Sequence, residues 1–258
     1  LQAMRELGYA PNPVAQMLAR GDNNILGVFA YLREFPIEQQ DFFYYYLLGI
    51  ERGAQEHNYN LVLFTGSAAP GMRNIYFNGQ NTLHLAAGAI LLGAEPDRDE
   101  LYRLAQEGYP FVYIGRREVS GYEIDWVTND YAAGCREAVT YLIDLGHKSI
   151  GIIGLDLRLE SHRDRLAGCR SAAEQAGDVR LVVLDESARP SGDHIVEVIR
   201  RGNLTALLCH DENTFETVMP ALHDGGIRVP EDLSVVVLST VDRAQNVVMN
   251  PTRVDFDR

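Results

Sequence analysis

The sequence predicts an α/β protein built from two doubly wound parallel-sheet halves, and three observations lead to this fold class. Short apolar runs rich in β-branched residues alternate with helical stretches along most of the chain, which is typical of a parallel sheet. The 258 residues, 46% of them hydrophobic, are enough for two cores. A second series of alternating elements begins near residues 125–130. We therefore expect two halves that face each other across a ligand cleft.

The first half, an N-terminal effector-binding subdomain, is expected to span residues 24–127. Its apolar runs predict strands, and the amphipathic stretches between them predict helices. In chain order the predicted elements are strand ILGVFAY, a helix within FFYYYLLGIERGAQEHNY, strand LVLFTG, a helix near Arg73–Leu85, strand GAILLG, a helix within DRDELYRLAQEG and strand PFVYIGR.

The second half is expected to span residues 128–258. Its predicted elements are a helix over Tyr131–Leu145 that ends at Gly146, strand Ser149–Gly154, a helix over Arg163–Ala176, strand VRLVVLD, a helix near Asp193–Arg201, strand TALLCHD, a helix near Thr214–Gly225 and strand LSVVVLS. We interpret the last residues, which end in DFDR, as a crossover segment, and we expect a further C-terminal tail.

Residues 1–23 differ from the rest of the chain. An apolar face at helical spacing stops at Gly8, and a short helix is predicted over Val14–Ala19 with Asn12 as its N-cap. Six or seven residues do not form a stable helix by themselves. Because the chain starts at Leu1 rather than at methionine, we expect it to be a fragment.

Composition excludes several classes of function. The 23 basic and 36 acidic residues give a net charge of −13, so most of the surface repels nucleic acids and anionic membranes. Any DNA partner must therefore be bound by a small part of the chain. No signal peptide or transmembrane run is predicted. Dinucleotide, P-loop and nucleophile-elbow motifs are missing from the sequence, so we predict no enzyme.

The three cysteines bear on cofactors and on location. Cys135, Cys169 and Cys209 have no metal-ligand spacing and fall within predicted elements. We therefore expect no metal and no cofactor. An odd number of cysteines, none of them in a recognisable disulfide pattern, is simplest to explain in a reducing cytoplasm.

Five ordered segments resemble the lactose/galactose-repressor (LacI/GalR) family of transcriptional regulators. They are LGYAPNPVAQMLARGDNNILGV, DLGHKSIGIIG, RDRLAGCRSA, ALLCHDENTFETVMPAL and GIRVPEDLSVVVLS. The resemblance implies a cytoplasmic bacterial repressor that binds DNA as a homodimer, with a core like that of type I periplasmic binding proteins. It also implies a sugar or nucleoside effector between the subdomains, which changes their angle and so controls operator binding.

The first of these segments resembles the end of the helix-turn-helix headpiece followed by the hinge helix. Leu18 matches the leucine that the family wedges into the minor groove of DNA. Ala15 matches the small residue that lets two hinge helices approach, whereas Gln16 stands where many members have arginine. Without the resemblance, Leu18 would be interpreted as an ordinary linker residue.

A sugar site needs hydrogen-bonding side chains and an aromatic platform. Phe42 and Phe43 match an aromatic segment of the family, and at least one of them is expected in the core. Arg116, at the end of strand PFVYIGR, is a candidate donor. Its alternative role is that of a solvated loop residue beside Arg117.

The second half contains more candidates. Arg165 is the leading one, because RLAG resembles the arginine-x-x-glycine with which the family holds sugar hydroxyls. Arg163 competes with it, and either arginine has the alternative of a solvated position at a helix start. Asn129 and Asp130 match the family's aspartate–asparagine pair in swapped order, and the alternative for each is an N-cap.

Two further positions end strands. His210 and Asp211 occupy the family's asparagine–aspartate position, although a lone histidine is more often structural. Ser239 stands where many members have an aspartate, and Ser187 stands where many have an aromatic residue. We therefore expect an unusual effector. The alternative function is that of a solute-binding protein with the same core fold.

Overall fold

The computed structural model describes residues 23–32, 43–65, 73–93, 95–184, 192–239 and 251–256. The predictions for Phe42, for Ser187 and for the hinge residues Ala15, Gln16 and Leu18 therefore lie outside the described residues.

The described chain divides into two compact units, and the main boundary falls after Val127. Phe43 and Tyr44 are grouped with the second unit. In chain order the first part of the chain contains β1 (Ile25–Ala30), α1 (Tyr44–Glu56), β2 (Asn60–Phe64), β3 (Tyr76–Phe77), β4 (Gln80–Asn81), a 3₁₀ turn (Thr82–Leu85), β5 (Gly88–Leu92), α2 (Arg98–Gln106), β6 (Phe111–Ile114) and β7 (Asp125–Val127). Five of these strands form one sheet in the order β2-β1-β5-β6-β7. All its neighbouring strands are parallel.

The helix predicted near Arg73–Leu85 is wrong. The segment forms an antiparallel hairpin in which Phe77 pairs with Gln80. The two residues between them, Asn78 and Gly79, have φ values of 49° and 79°. Positive φ at both central positions is the signature of a type I′ hairpin turn, for which Asn-Gly is the favoured sequence. This turn breaks the helical pattern that the apolar spacing had indicated.

The second unit contains α3 (Tyr131–Asp144), β8 (Ser149–Ile153), α4 (Glu160–Ala176), β9 (Arg180–Leu184), α5 (Gly192–Arg201), β10 (Ala206–Cys209), α6 (Glu212–Asp224), β11 (Ser234–Ser239) and β12 (Thr252–Asp255). Its strands form a second parallel sheet in the order β12-β11-β10-β8-β9. The structure therefore confirms the α/β class with parallel sheets.

Two strands and one helix start differ from the prediction. β7 was not predicted as a strand, and β12 pairs with β11 within the segment that was interpreted as a crossover. α4 begins at Glu160, three residues before the predicted start. Its N-cap, Leu159, makes no side-chain capping bond, so the sequence carries no capping signal there.

The core of the second unit rests on close packing between α3 and α4. A Cβ placed on Gly168 would overlap the backbone carbonyl oxygen of Ala132, so only glycine lets the two helices approach this closely. Cys135 on α3 and Cys169 on α4 are free, fully buried thiols in the same core. This packing fixes the first turn of α3 against the middle of α4.

Both sheets share one topological feature that bears on ligand binding. In the first sheet the chain leaves β1 toward β2 and leaves β5 in the opposite direction toward β6. In the second sheet β8 connects to β9, and β10 connects in the opposite direction to β11. Ligands of such sheets bind outside the carboxyl ends of the strands at this point of reversal.

Candidate functional site

The polar side chains of the second unit gather at the carboxyl ends of β8 and β10. Asp156 follows β8, and His210 and Asp211 follow β10. His162 and Arg165 lie in the first two turns of α4. We call these five residues the switch-point cluster. The cluster occupies the position at which the sheet topology predicts a ligand.

His162 is held by the loop that follows β8. Its Nδ1 accepts a hydrogen bond from the backbone N–H of Asp156 at 2.8 Å. Its ring centroid lies 4.8 Å from that of His210. Burial, together with the nearby His210 and Arg165, lowers the pKa of His162 to about 3. The imidazole is therefore neutral at pH 7, with its proton on Nε2.

His210 packs against the end of β8. Its Nδ1 lies 2.8 Å from Thr214 Oγ1 and 3.4 Å from Asp211 Oδ1. Gly154 has a φ of +97°, and a Cβ there would overlap the His210 ring. Burial lowers the pKa of His210, although Asp211 opposes the shift. Glycine at position 154 is thus required for the two strand ends to meet around this histidine.

Arg165 is buried, so a solvated position at a helix start is the wrong alternative for it. Only 5% of its surface is exposed. Its guanidinium carbon lies 3.9 Å from the centre of the Tyr131 ring and 5.7 Å from that of Phe256. One terminal nitrogen donates to the carbonyl of Ser161 at 3.4 Å. The Nε atom is buried and has no hydrogen-bond partner in the described part of the chain.

The other charged groups near the start of α4 have partners within the chain. Asp156 accepts two hydrogen bonds from Nε of Arg158, at 2.9 and 3.0 Å, and one from its terminal nitrogen at 2.5 Å. The hydrogen bonds from Arg158 lower the pKa of Asp156 to about 2. Arg163 donates to the carbonyls of Leu157 and Arg158 and lies 3.9 Å from Glu160. Arg163 therefore stabilises the loop before α4.

Two predicted ligands act as helix N-caps. Asp130 accepts a hydrogen bond from the backbone N–H of Ala133 at 2.9 Å and caps α3. Asp211 accepts from the backbone N–H of Thr214 at 2.8 Å and caps α6. These contacts agree with the capping alternative for Asp130. Asn129 precedes this cap, and its carbonyl accepts from the N–H of Tyr131 at 2.8 Å.

In the first unit, Arg117 rather than Arg116 is hydrogen-bonded to the backbone at the end of a strand. Arg116 forms an ion pair with Glu118 at 2.5 Å on the surface. Arg117 is buried, donates to the carbonyl of Gly93 at 2.8 Å and lies over the Tyr113 ring. Arg117 therefore supports the carboxyl end of β5.

Tyr31, directly after β1, was missed by the sequence reasoning. Its backbone N–H donates to the carbonyl of Leu92 at 2.8 Å, which joins the ends of β1 and β5. Its hydroxyl donates to Glu100 Oε2 at 3.2 Å. Burial raises the pKa of the Tyr31 phenol far above its usual range. The side chain is therefore a neutral hydrogen-bonding group at the reversal point of the first sheet.

Two other predicted residues remain predictions. Phe43 is half-buried and precedes α1, and Ser239 is the last residue of β11. Within the second unit, Arg165 and His210 share one cluster with His162, which the sequence reasoning did not select. The spacing of His162 and Arg165 by three residues, which places them on one helix face, was the available signal.

Neither a metal site nor a membrane span is present in the described residues. No group of three or more histidine, cysteine, aspartate or glutamate side chains there is arranged to hold a metal ion. No helix in the same ranges combines the length and apolar character that crossing a bilayer requires.

A known protein family and individual known proteins match this chain. The family model of the periplasmic binding protein-like domain matches residues 139–257. The HTH-type transcriptional regulator CelR of Thermobifida fusca is 27% identical over 241 residues, which cover 91% of this chain and 70% of CelR.

Two solved structures have a similar fold. A putative LacI transcriptional regulator from Bacillus cereus subsp. cytotoxis is 30% identical, with a TM-score of 0.62, and the match covers 83% of this chain and 77% of that chain. A transcriptional regulator CelR–cellobiose complex has a TM-score of 0.63 at 21% identity and covers 99% of this chain and 86% of the other.

The fold and the position of the polar cluster define an effector-binding core of the periplasmic-binding-protein type. With the relatives just described, they identify the chain as a member of the LacI family of transcriptional regulators.

Proposed function

We propose that this chain binds a small sugar-like effector at the switch-point cluster and that effector binding controls the affinity of the regulator for operator DNA. The observation that carries the proposal is the buried Arg165, which lies against Tyr131 at the carboxyl edge of the second sheet with an unused donor. A guanidinium fork beside an aromatic face is a suitable pair for hydroxyls and a sugar ring.

The class of effector follows from the same groups. Neutral His162 and the N-cap carboxylate of Asp211 offer further hydrogen bonds beside Arg165. The structural neighbour in complex with cellobiose supports a sugar, and a nucleoside fits the same chemistry. Of the other predicted contacts, those of Arg163, His210 and Asn129 in the second unit belong to this proposal, whereas Asp130 is proposed to act as the N-cap of α3.

Contacts from the first half belong to the proposal as well. They are those of Phe42, Phe43 and Arg116. Ser239, at the end of β11 in the second half, is a further proposed contact. The site needs no metal and no cofactor, and the regulator performs no catalysis.

Operator DNA and a second copy of the chain are the other proposed partners. Leu18, Ala15 and Gln16 are the proposed hinge contacts, and a palindromic operator requires a two-fold symmetric protein. The regulator works in the bacterial cytoplasm. An effector that binds one conformational state better than the other shifts the equilibrium toward that state and so couples ligand to DNA.

A solute-binding protein of the same core is the second candidate, because the matching family model describes a periplasmic binding protein-like domain. The two functions differ in their dependence on DNA. A regulator changes its operator affinity when effector is added, whereas a solute-binding protein has no operator.

A ligand screen tests the proposal. The chain is heated with sugars and nucleosides in turn, and a true effector at 100 times its dissociation constant adds about 2.7 kcal/mol to the unfolding free energy. The protein encoded by the complete gene is then assayed for operator binding with and without that ligand. Absence of any stabilising sugar or nucleoside, or an operator affinity that the ligand does not change, contradicts the proposal.

A further inference from the structure

The charges of the switch-point cluster are unevenly compensated. The carboxylate of Asp156 is bound by the guanidinium of Arg158. The carboxylate of Asp211 accepts from the backbone N–H of Thr214 and lies beside His210. In contrast, none of the described carboxylates lies within ion-pair distance of Arg165. The cluster therefore contains one cation that none of the described carboxylates contacts directly.

The Arg165 guanidinium is also short of hydrogen-bond acceptors. It carries five N–H donors, and its one hydrogen bond within the described ranges is the contact with Ser161 at 3.4 Å. The Tyr131 ring attracts the positive charge from above, but it offers no acceptor in the guanidinium plane. A desolvated cation with unused donors is costly unless a ligand supplies both charge and acceptors.

His162 provides a second donor of fixed direction. Because its Nδ1 accepts from the N–H of Asp156, the single proton of the neutral ring is on Nε2. No described residue accepts from this Nε2–H. The two members of the switch-point cluster on α4, Arg165 and His162, therefore both offer donors, and an acceptor-rich ligand complements them.

We infer that the effector of this regulator carries an oxyanion, a carboxylate or phosphate on a sugar-like skeleton, that binds Arg165 and His162. The inference rests on the proposed function and specifies the chemical class of its ligand. An oxyanion accepts two parallel hydrogen bonds from a guanidinium and neutralises its charge. Neutral hydroxyls supply the hydrogen bonds but leave the charge uncompensated.

Matched pairs of ligands provide the test. Calorimetry compares glucuronate with glucose and galacturonate with galactose for the carboxylate, and ribose 5-phosphate with ribose for the phosphate. Inorganic phosphate alone is a further probe. We expect one acidic ligand to bind at least about tenfold more tightly than its neutral partner, as the loss of a charged hydrogen bond commonly costs one to two decades in affinity.

Variants of the chain then test which residues bind the oxyanion. Arg165→Gln removes the charge but keeps most of the side-chain length and one donor group, and should weaken the acidic ligand about tenfold to a hundredfold. A neutral partner also loses hydrogen bonds in this variant, so we expect it to weaken as well, but by a smaller factor than the acidic ligand. Arg170→Gln, on an exposed position of α4, is the matched control. His162→Asn keeps an acceptor for the Asp156 N–H, deletes the Nε2–H donor and should also weaken the acidic ligand.

The outcomes separate this inference from the proposed function. Equal or tighter binding of the neutral sugars overturns the inference and leaves the proposed function intact. Failure of every sugar and nucleoside, acidic or neutral, contradicts both. If Arg165→Gln does not fold, an unchanged preference for the acidic ligand in His162→Asn overturns the contact with His162.

Discussion

Gly154 determines where His210 can lie, and a substitution at Gly154 directly tests the packing of the site. Its φ of +97° and the overlap of a Cβ with the His210 ring both oppose a side chain. We expect Gly154→Ala to lower the unfolding free energy by about 2–4 kcal/mol, because backbone strain and overpacking add.

Gly226→Ala is the control in denaturant unfolding. Gly226 also has a positive φ, +69°, but a Cβ placed there would meet open space, so only about 1–2 kcal/mol of backbone strain is expected. Equal losses in the two variants would show that His210 moves away without cost.

The low pKa of His162, about 3, links folding stability to pH. The unfolded histidine titrates near its ordinary value of about 6.5, so the unfolded state binds more protons between those two values. Stability should therefore fall as the pH drops from about 6.5 toward 3, with His162 contributing up to about 1.4 kcal/mol per pH unit.

The His162→Asn variant isolates that contribution. Asparagine does not titrate, so the slope of unfolding free energy against pH between 6 and 4 should be shallower in the variant. His210 and Asp156 titrate in both proteins, so the difference in slope reports the titration of His162 together with its coupling to these two neighbours. Identical slopes would show that His162 is already solvated in the folded state.

Arg165 illustrates what the sequence can predict about a site. The RLAG motif led to Arg165, which the structure places in the switch-point cluster, but the burial of this arginine depends on Tyr131 and Phe256, which are distant in sequence. His162 was missed for the same reason, since its neighbours Asp156 and His210 come from two different strand ends. Periodicity and motifs report on residues that are close in sequence. The residues of the cluster are distant in sequence and are brought together by the topology of the sheet.

At the scale of elements, variants of Asp130, the N-cap of α3, can distinguish a structural role from a role in ligand binding. Asp130 accepts from the Ala133 N–H, and loss of such a cap costs about 1 kcal/mol. We expect Asp130→Ala to lower the unfolding free energy by this amount and Asp130→Ser to recover most of it. Ligand affinity, measured by calorimetry, should be nearly unchanged in both. A large loss of affinity with unchanged stability would assign Asp130 to the ligand.

Most elements were predictable because their patterns are long and repeated. The predicted strands from Ile25 to Ser239 are present, and so are the helices predicted within the described residues, except the one near Arg73–Leu85. The helix predicted over Val14–Ala19 lies outside the described residues. The exceptions have physical reasons. β7 has only three residues, all exposed, so it shows no burial pattern. The hairpin before β5 depends on the turn conformation of Asn78 and Gly79, which outweighs apolar spacing.

At the scale of the whole molecule, the first prediction is a homodimer. A two-fold operator is bound by a protein of matching symmetry. Sedimentation at tens of micromolar should therefore give about twice the chain mass of 28.8 kDa. A monomer at that concentration would contradict the prediction for residues 1–258.

The charge of the molecule leads to the last prediction, which concerns DNA. Residues 1–258 carry a net charge of −13, and residues 1–23, where the hinge contacts are proposed, contain two basic and two acidic residues. Binding to DNA depends largely on neutralising phosphates with lysine and arginine, and this chain has no excess of either. We therefore expect residues 1–258 alone to bind operator DNA no more tightly than about 1 µM at physiological salt, as in non-specific binding. Fluorescence anisotropy at several salt concentrations measures this affinity, and a nanomolar dissociation constant would show that the hinge segment alone suffices for recognition.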